Sequence, residues 1–598
     1  MTDRAGGLIV AQAVESITSD KRAIGVSTTT NDARQSLSPV RGLSAGLDYA
    51  TGSHARAAAV LVAFCLIAFL PGFFQIPPVD RDEARFAQAT KQMVESGDYV
   101  DIRFQDEVRY KKPVGIYWLQ AVFVKAGEAV GIPGARTTIW LYRIPSLLGA
   151  AGAVLLTYWA ALAFVTRRAA MLAALMMASS ILLGVEARLA KTDAMLLLTS
   201  VAAMGAMARI YLTARRAPEA IVSWKMPAIL WTALAAGVLL KGPLILMFVA
   251  LTALTLSIVD RSWRWTLRLR PLAGFVWLLL LVSPWFIAIA TKSGDSFFMK
   301  AVGDDMLSKI TSGQEAHGAP PGYYLALFWV TFWPGAVLAG LAAPMVWKAR
   351  REPGAQFLLA WIIPSWIVFE IVMTKLPHYV LPLYPAIAIL IAGILGLGGL
   401  SKRRWMVRGT VGWFVLPLVI AAAVVAGFIV IGRDPGIISW PFAAAALIFG
   451  LFAWWLYEVD GAERSLLRGI MASVFVSITV YAVMFPLLPA LFPSKLIAND
   501  VGASPCVQPQ VASTFAYQEP SLVFMLGTNT RFTDGGGAAE FLSQGECRFA
   551  MIDPRSERSF VQRANAIGLR YALSQRIDGF NISIGKPVTM TVFRSVNP

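Results

Sequence analysis

The sequence predicts a polytopic all-α membrane protein with about 13 transmembrane helices and a small α/β domain at its C-terminal end. Three observations predict it. Hydrophobic residues make up 57% of the 598 positions and charged residues only 15%, whereas a soluble domain carries about a quarter charged. Apolar runs near the 20 or so residues needed to cross a bilayer recur along the chain, as at 411–432 and 468–490. Basic residues then mark alternate junctions between those runs, which fixes an orientation.

The elements follow in order. Residues 1–55 mix Ser, Thr, Arg and Asp, lack the apolar core of a signal peptide, and read as a disordered cytoplasmic tail. The first span covers 57–74, and Pro77-Pro78 ends it. A polar loop then runs to Arg143. Phe86, Met93 and Val94, and later Tyr117, Trp118 and Val122, recur at helical spacing, so amphipathic helices lying at the interface are expected there. Apolar runs alternate with short connections from 144 to 490. Arg167-Arg168, Arg215-Arg216, 261–270, 348–351, 402–408 and Arg464 with Arg468 occupy every second connection. The positive-inside rule places these on the cytoplasmic side, with the N-terminus, and turns the other loops outward. The transmembrane domain is thus 56–490, with 76–143 as its outward catalytic loop. Residues 491–598 form a periplasmic α/β domain: 521–526 and 549–552 read as short buried strands, 537–542 and 559–567 as helices, and 580–594 as a hairpin around Gly585-Lys586-Pro587.

The formal charge of +17 does not point to nucleic acid, because the Lys and Arg lie in short inter-span loops rather than in a basic module. Cys65 falls in the first apolar run and reads as a small core residue. Cys506 and Cys547 share the C-terminal region, where an oxidising compartment permits a disulfide; their spacing leaves the pairing open. No Cys/His cluster has zinc-ligand spacing.

Charge on the outward side is concentrated rather than scattered. The first loop opens with Asp80-Arg81-Asp82-Glu83-Ala84-Arg85 and later carries Arg109-Tyr110-Lys111-Lys112-Pro113. Carboxylates where a helix leaves the membrane suit a base or an electrostatic partner, and nearby cations suit a phosphate headgroup. Asp80-Arg81-Asp82 also imitates a metal-binding Asp-x-Asp. Two carboxylates do not specify a metal, so no metal ligand is assigned and a divalent cation is left open. The second loop holds Glu186, Arg188, Lys191 and Asp193, the third Lys241, the fourth His317, and the fifth Lys375, His378, Tyr379 and Tyr384. Paired surface charges, a snorkelling lysine and an interfacial Tyr/Pro belt are the ordinary readings of the same residues.

In order, Asp-Glu-Ala-Arg after span one, Tyr-Lys-Lys-Pro, Tyr142-Arg143-Ile144-Pro145-Ser146, Ala-Arg-x-x-x-Thr-Asp, His-Gly-x-Pro with Tyr-Tyr, and Lys-Leu-Pro-x-Tyr-x-Leu-Pro-x-Tyr-Pro cover most of 57–390. This series resembles the C-type (GT-C) glycosyltransferases of the protein O-mannosyltransferase and lipid A aminoarabinose transferase group. The resemblance implies a GT-C-like fold and a polyprenyl-phosphate sugar donor. It implies a catalytic acid at Asp82, with Glu83 beside it and Asp193 as a second acid. It also implies carrier-phosphate contacts from Arg85 and Lys112, and lipid-site aromatics at Tyr379 and Tyr384. Tyr110, Arg188, Lys241, His317 and Lys375 complete the expected substrate-binding set. A lipid A, lipopolysaccharide or other envelope acceptor at the periplasmic face of the inner membrane follows, with membrane lipids as further partners. A protein O-mannosyltransferase is the alternative. A transporter or flippase is the alternative of another class; it would place charges within spans and show repeats, whereas here they gather in outward loops.

Overall fold

The computed structural model describes residues 40–220, 223–294, 297 and 318–596. Among these, eight helices are long and apolar enough to cross a membrane, from Ile139–Ala161 to Ala462–Leu487. Tyr323–Thr331 and Ala336–Lys348, bent by 120° about Pro334, make a ninth if taken as one span. His54–Phe69 and Leu244–Val259 are apolar but only 16 residues each. The expected count of about 13 also took in shorter and interrupted apolar runs, which this length leaves out. The run at 169–186, for example, is Arg167–Ser179 and Ile181–Glu186, interrupted at Ser180, whose backbone is extended.

Part of the expected tail is helical, and residues 1–39 lie outside the described residues. Residues 40–51 form a helix, Val40–Thr51, with Leu47 and Ala50 buried. Arg168 bridges its Asp48 to Glu463, and Arg167 Nη1 donates to the carbonyls of Thr51 and Gly52 at 3.1 and 3.0 Å. The polar composition that suggested disorder instead supplies ion pairs that tie this helix to the bundle.

The first loop folds into Asp82–Ser96, a two-strand hairpin (β1, Arg103–Phe104; β2, Glu107–Val108) and Gly115–Ala129. Phe86 packs on Tyr117 at 5.5 Å between ring centres, and Thr90 donates to Gln120 at 2.6 Å.

The C-terminal sheet comprises β3 (Gln510–Thr514), β4 (Arg531–Thr533), β5 (Arg548–Ile552), β6 (Tyr571–Asn581) and β7 (Lys586–Ser595), in the order β4-β3-β5-β7-β6. β3 lies parallel to β4 and β5; β7 is antiparallel to β5 and β6. Successive side chains point to opposite faces. Phe549 and Met551 therefore meet Ile497, Val501 and Leu522, while Ala550 and Ile552 meet Ala538, Leu542 and Phe560. Helices cover both faces, which is why β5 reads as one apolar run. The helix at 535–543, the helix at 557–566 and the hairpin lie where the sequence placed them. Residues 521–526 do not: they form the helix Pro520–Leu526. Pro520 occupies its first turn, where a missing N–H costs nothing. Cys506 and Cys547 are disulfide-bonded, with Cα atoms 5.5 Å apart.

Candidate active site

Three acids within four positions at the start of the first-loop helix have three different fates. Asp80 Oδ1 accepts from the Ser521 backbone N–H at 3.0 Å. It therefore caps Pro520–Leu526 in the C-terminal domain, not the helix that follows it in sequence. Arg81 sits at φ 66°, a left-handed conformation uncommon for a side chain with a Cβ, and its Nη2 donates to the Ser583 carbonyl at 2.5 Å. Glu83 is fully buried. It takes Arg143 in a two-pronged pair at 2.8 and 2.9 Å and accepts from the backbone N–H of Val79 and Ala190 at 2.8 and 2.9 Å. Arg143 also donates to the carbonyls of Phe73, Ile76 and Pro77. With both oxygens committed, Glu83 is a structural clamp rather than an acid facing substrate.

Between these anchors, Asp82 faces Lys191, His378, Arg109 and Asp193. Burial favours its neutral form, but Lys191, His378 and Arg109 outweigh that and hold the carboxyl below the usual carboxylate range. Lys191 shows the converse. Burial opposes its charge, and Glu186, Asp193 and Asp82 more than restore it, so the ammonium is held above its ordinary range. Lys191 Nζ lies 3.1 Å from Glu186 and 3.7 Å from Asp193. Asp193 opens the helix Asp193–Arg216 and Lys241 closes Lys225–Lys241, the ends the helix dipole favours for each sign. The two form a close ion pair. His378 stands 3.7 Å from Glu186 and 3.6 Å from Asp193, and Lys241 lies over the Tyr379 ring at 5.4 Å.

Glu186, Asp193 and His378 lie close enough together to hold a metal ion. Lys191 and Lys241 pair with one oxygen each of Glu186 and Asp193, so a divalent cation would compete with two ammonium groups, while Glu186 Oε2 is buried without a hydrogen-bond partner among the described residues.

Of the expected site residues, Asp82, Asp193, Lys241 and Tyr379 converge here. Arg85 lies one helical turn after Asp82, on its face. Lys112 Nζ donates to the Lys111 carbonyl at 2.8 Å. His317 lies outside the described residues. Four others have structural work. Tyr110 donates to Asp101 at 2.8 Å, and burial with that bond pushes its phenol up to about 12. Arg188 is buried under Tyr481 and donates to the Pro71 carbonyl at 2.8 Å and Ser477 Oγ at 2.6 Å. Lys375 donates to the carbonyls of Glu370 and Val372, capping Pro353–Ile371. Tyr384 shares a 2.6 Å hydrogen bond with Thr331 inside the bundle. Sequence reasoning passed over Glu186, Lys191, His378 and Arg109 as site residues. The density of charge in 186–193 was the available signal, and it could not separate Arg188 from Lys191.

The chain is similar in sequence to known glycosyltransferases and in fold to a solved one. The family profile of dolichyl-phosphate-mannose-protein mannosyltransferases matches residues 59–296. The chain is 27% identical over 360 residues to an undecaprenyl phosphate-alpha-4-amino-4-deoxy-L-arabinose arabinosyl transferase of Pectobacterium atrosepticum, covering 58% of this chain and 61% of that one. Its Erwinia tasmaniensis counterpart is 29% identical over 52% of this chain and 54% of its own length. An Aeromonas salmonicida relative of the same name is 25% identical over 84% and 90%. The match thus spans about three-fifths of the first relative's length. Among solved structures, ArnT from Cupriavidus metallidurans bound to undecaprenyl phosphate superposes with a TM-score of 0.68 at 20% identity, covering 89% of this chain and 97% of that one.

Proposed function

We propose that this chain moves a sugar from a polyprenyl (undecaprenyl) phosphate carrier to lipid A, lipopolysaccharide or another anionic envelope acceptor at the periplasmic face of the bacterial inner membrane. The observation that carries the reading is Asp82: an acid kept ionised by surrounding cations, at the mouth of a buried charged cluster, in a chain of this fold. The relatives' names supply the carrier and an aminoarabinose as the sugar to try first.

In this scheme an acceptor oxygen forms a bond to the anomeric carbon as the carbon–oxygen bond to the carrier phosphate breaks. The electron pair leaves with the phosphate. Arg85 and Lys112 hold that phosphate and stabilise its developing charge, which needs no strong acid. Ionised Asp82 steadies positive charge at the anomeric carbon, or takes the proton of a hydroxyl acceptor. A phosphate acceptor arrives already ionised and needs only the first role. Asp193, paired with Lys241, keeps the cluster's geometry beneath it. Tyr379 belongs to the carrier-lipid side of the same site. Residues 56–490 make up the transferase and 491–598 its periplasmic domain.

The test is transfer by the purified protein, with undecaprenyl-phosphate aminoarabinose as donor and lipid A as acceptor, read as the mass gain of one aminopentose. Lipid A unchanged in mass, both in this assay and when a deletion strain is compared with its parent, would remove lipid A as acceptor. The match to the mannosyltransferase profile supports a second reading, O-mannosylation of protein. Incorporation of mannose from polyprenyl-phosphate mannose into a Ser/Thr peptide would favour it.

A further inference from the structure

An apolar pocket lies at the end of the bundle opposite the candidate active site. Its volume is about 300 Å³, and it opens among the helices Asp193–Arg216, Ala336–Lys348, Pro353–Ile371 and Tyr384–Gly396. Asp193 begins the first of these helices, and Arg215 and Arg216 end it, 24 residues on. At 1.5 Å per residue, roughly 35 Å separates the two ends.

The walls and the rim differ in chemistry. Phe164, Leu212, Leu358, Ile389 and Ile394 line the pocket and are buried within the bundle. Where the helices end, the lining turns cationic: Arg215, Arg216 and Lys348 are all exposed there, and Glu352 is the one acid among the described lining residues. Arg215 lies 3.5 Å from Asp260, whereas Arg216 and Lys348 have no ion pair among the described residues. Trp347, beside Lys348, is 63% exposed and carries Arg350 over its ring at 4.6 Å. Exposed tryptophan among cations at a span end marks the headgroup level of a bilayer.

Apolar walls between spans, closed by cations at headgroup level, complement a lipid with an anionic headgroup: the chain fills the walls and the phosphate meets guanidinium and ammonium. Free phosphate would leave the walls unfilled. The carrier lipid does not suit the place either, because its phosphate must reach Asp82 at the far end of the bundle.

We propose that this pocket binds an anionic phospholipid of the leaflet opposite the active site, with Arg216 and Lys348 on its phosphate and an acyl chain against Leu212, Leu358 and Ile389. The lipid then braces two elements of the distant site. One is the helix that Asp193 begins; the other is Tyr384–Gly396, which follows His378 in the chain, and Asp193 and His378 stand 3.6 Å apart. The assignment is independent of which sugar or acceptor the protein uses.

The test uses the full-length protein, delipidated in detergent. It is titrated with phosphatidylglycerol, with phosphatidylethanolamine of the same chains, and with glycerol 3-phosphate, and native mass spectrometry counts what is bound. Phosphatidylglycerol is expected to bind about tenfold or more tightly than phosphatidylethanolamine, because each cation at the lipid surface adds attraction for an anionic headgroup. Arg216→Gln combined with Lys348→Gln is expected to remove that preference. Ala349→Trp, at a half-buried pocket position just past Ala336–Lys348, is expected to fill the pocket and weaken both phospholipids alike. Both proteins should elute as the wild type in size exclusion, since neither change touches a fully buried side chain. Equal affinity of the wild type for the two phospholipids would overturn the proposal. So would a preference that survives the double substitution, or affinities unchanged by Ala349→Trp. Glycerol 3-phosphate binding as tightly as phosphatidylglycerol would make this a free-phosphate site, and loss of undecaprenyl phosphate binding in both variants would give the pocket to the carrier; either result overturns the phospholipid assignment.

Discussion

At the scale of single residues, the contrast among Asp80, Asp82 and Glu83 is the most informative feature. All three are acids within four positions, yet Asp80 holds another domain, Glu83 holds Arg143, and Asp82 alone faces the cation cluster. Asp82→Asn is expected to abolish transfer while undecaprenyl phosphate still binds; near-normal turnover by the purified variant would shift the role to Asp193. Glu83→Gln is expected to act on folding instead, because it leaves the Arg143 guanidinium buried beside a neutral amide. Breaking such a buried pair typically costs about 3–5 kcal/mol, so folded yield in detergent should fall sharply, and normal yield with lost turnover would return Glu83 to catalysis. Asp80 adds a pH dependence. Burial, with the neighbouring Glu519 charge, raises its pKa to about 7, from the ordinary carboxyl value near 4. A raised carboxyl binds its proton more tightly in the folded protein. Its contribution is therefore fully present below about pH 4 and is lost as pH rises through about 7. Hydrogen exchange in Pro520–Leu526 should be slower at pH 5.5 than at pH 8, beyond the intrinsic change, and Asp80→Asn should remove the difference. An equal pH response in the variant would show that another group controls docking.

At the scale of elements, the helix Asp82–Ser96 is oriented from three sides. Gly115–Ala129 packs along it, Arg143 clamps its first turn, and Pro520–Leu526 lies against it through Lys91 Nζ donating to the Phe524 carbonyl at 3.0 Å and Gln88 donating to Thr528 at 2.9 Å. The helix itself was legible from its apolar spacing and its acidic first turn. Its partner was not, because 521–526 is an apolar hexad too short for periodicity to separate strand from helix. Arg188 carries the same lesson. It stands in a motif that reads as substrate-binding, yet it joins the region after His54–Phe69 to Ala462–Ser477 through carbonyls and Ser477. Arg188→Ala is expected to lower the thermal midpoint of the detergent-solubilised protein, since each buried acceptor left unsatisfied costs about 1–3 kcal/mol. Whatever remains folded should bind undecaprenyl phosphate with wild-type affinity. An unchanged midpoint with weakened binding would restore the substrate role.

At the scale of the whole molecule, the first loop and the C-terminal domain interlock, so they must share one side of the membrane, and the basic connections, including Arg167 and Arg168, mark the other. Cysteines introduced at exposed sites such as Glu107 and Gln518 should both label with an impermeant maleimide from the periplasm; labelling of either only after permeabilisation would invert the orientation and with it the mechanism. The helical class, the existence of a mixed C-terminal domain and the charge-rich loops were determined by the sequence alone. Each rests on local signals: apolar length, the distribution of Lys and Arg, and alternation along strands. Which charged residues face one another was decided only by the tertiary structure. Asp82, the 186–193 loop with Glu186, Lys191 and Asp193, Lys241 and His378 come from four separate segments, and whether a buried charge serves as strut or site depends on what lies opposite it. That partner is set by packing across the bundle, where one residue's shift along a helix turns its side chain by about 100°, and no spacing within a single segment records it.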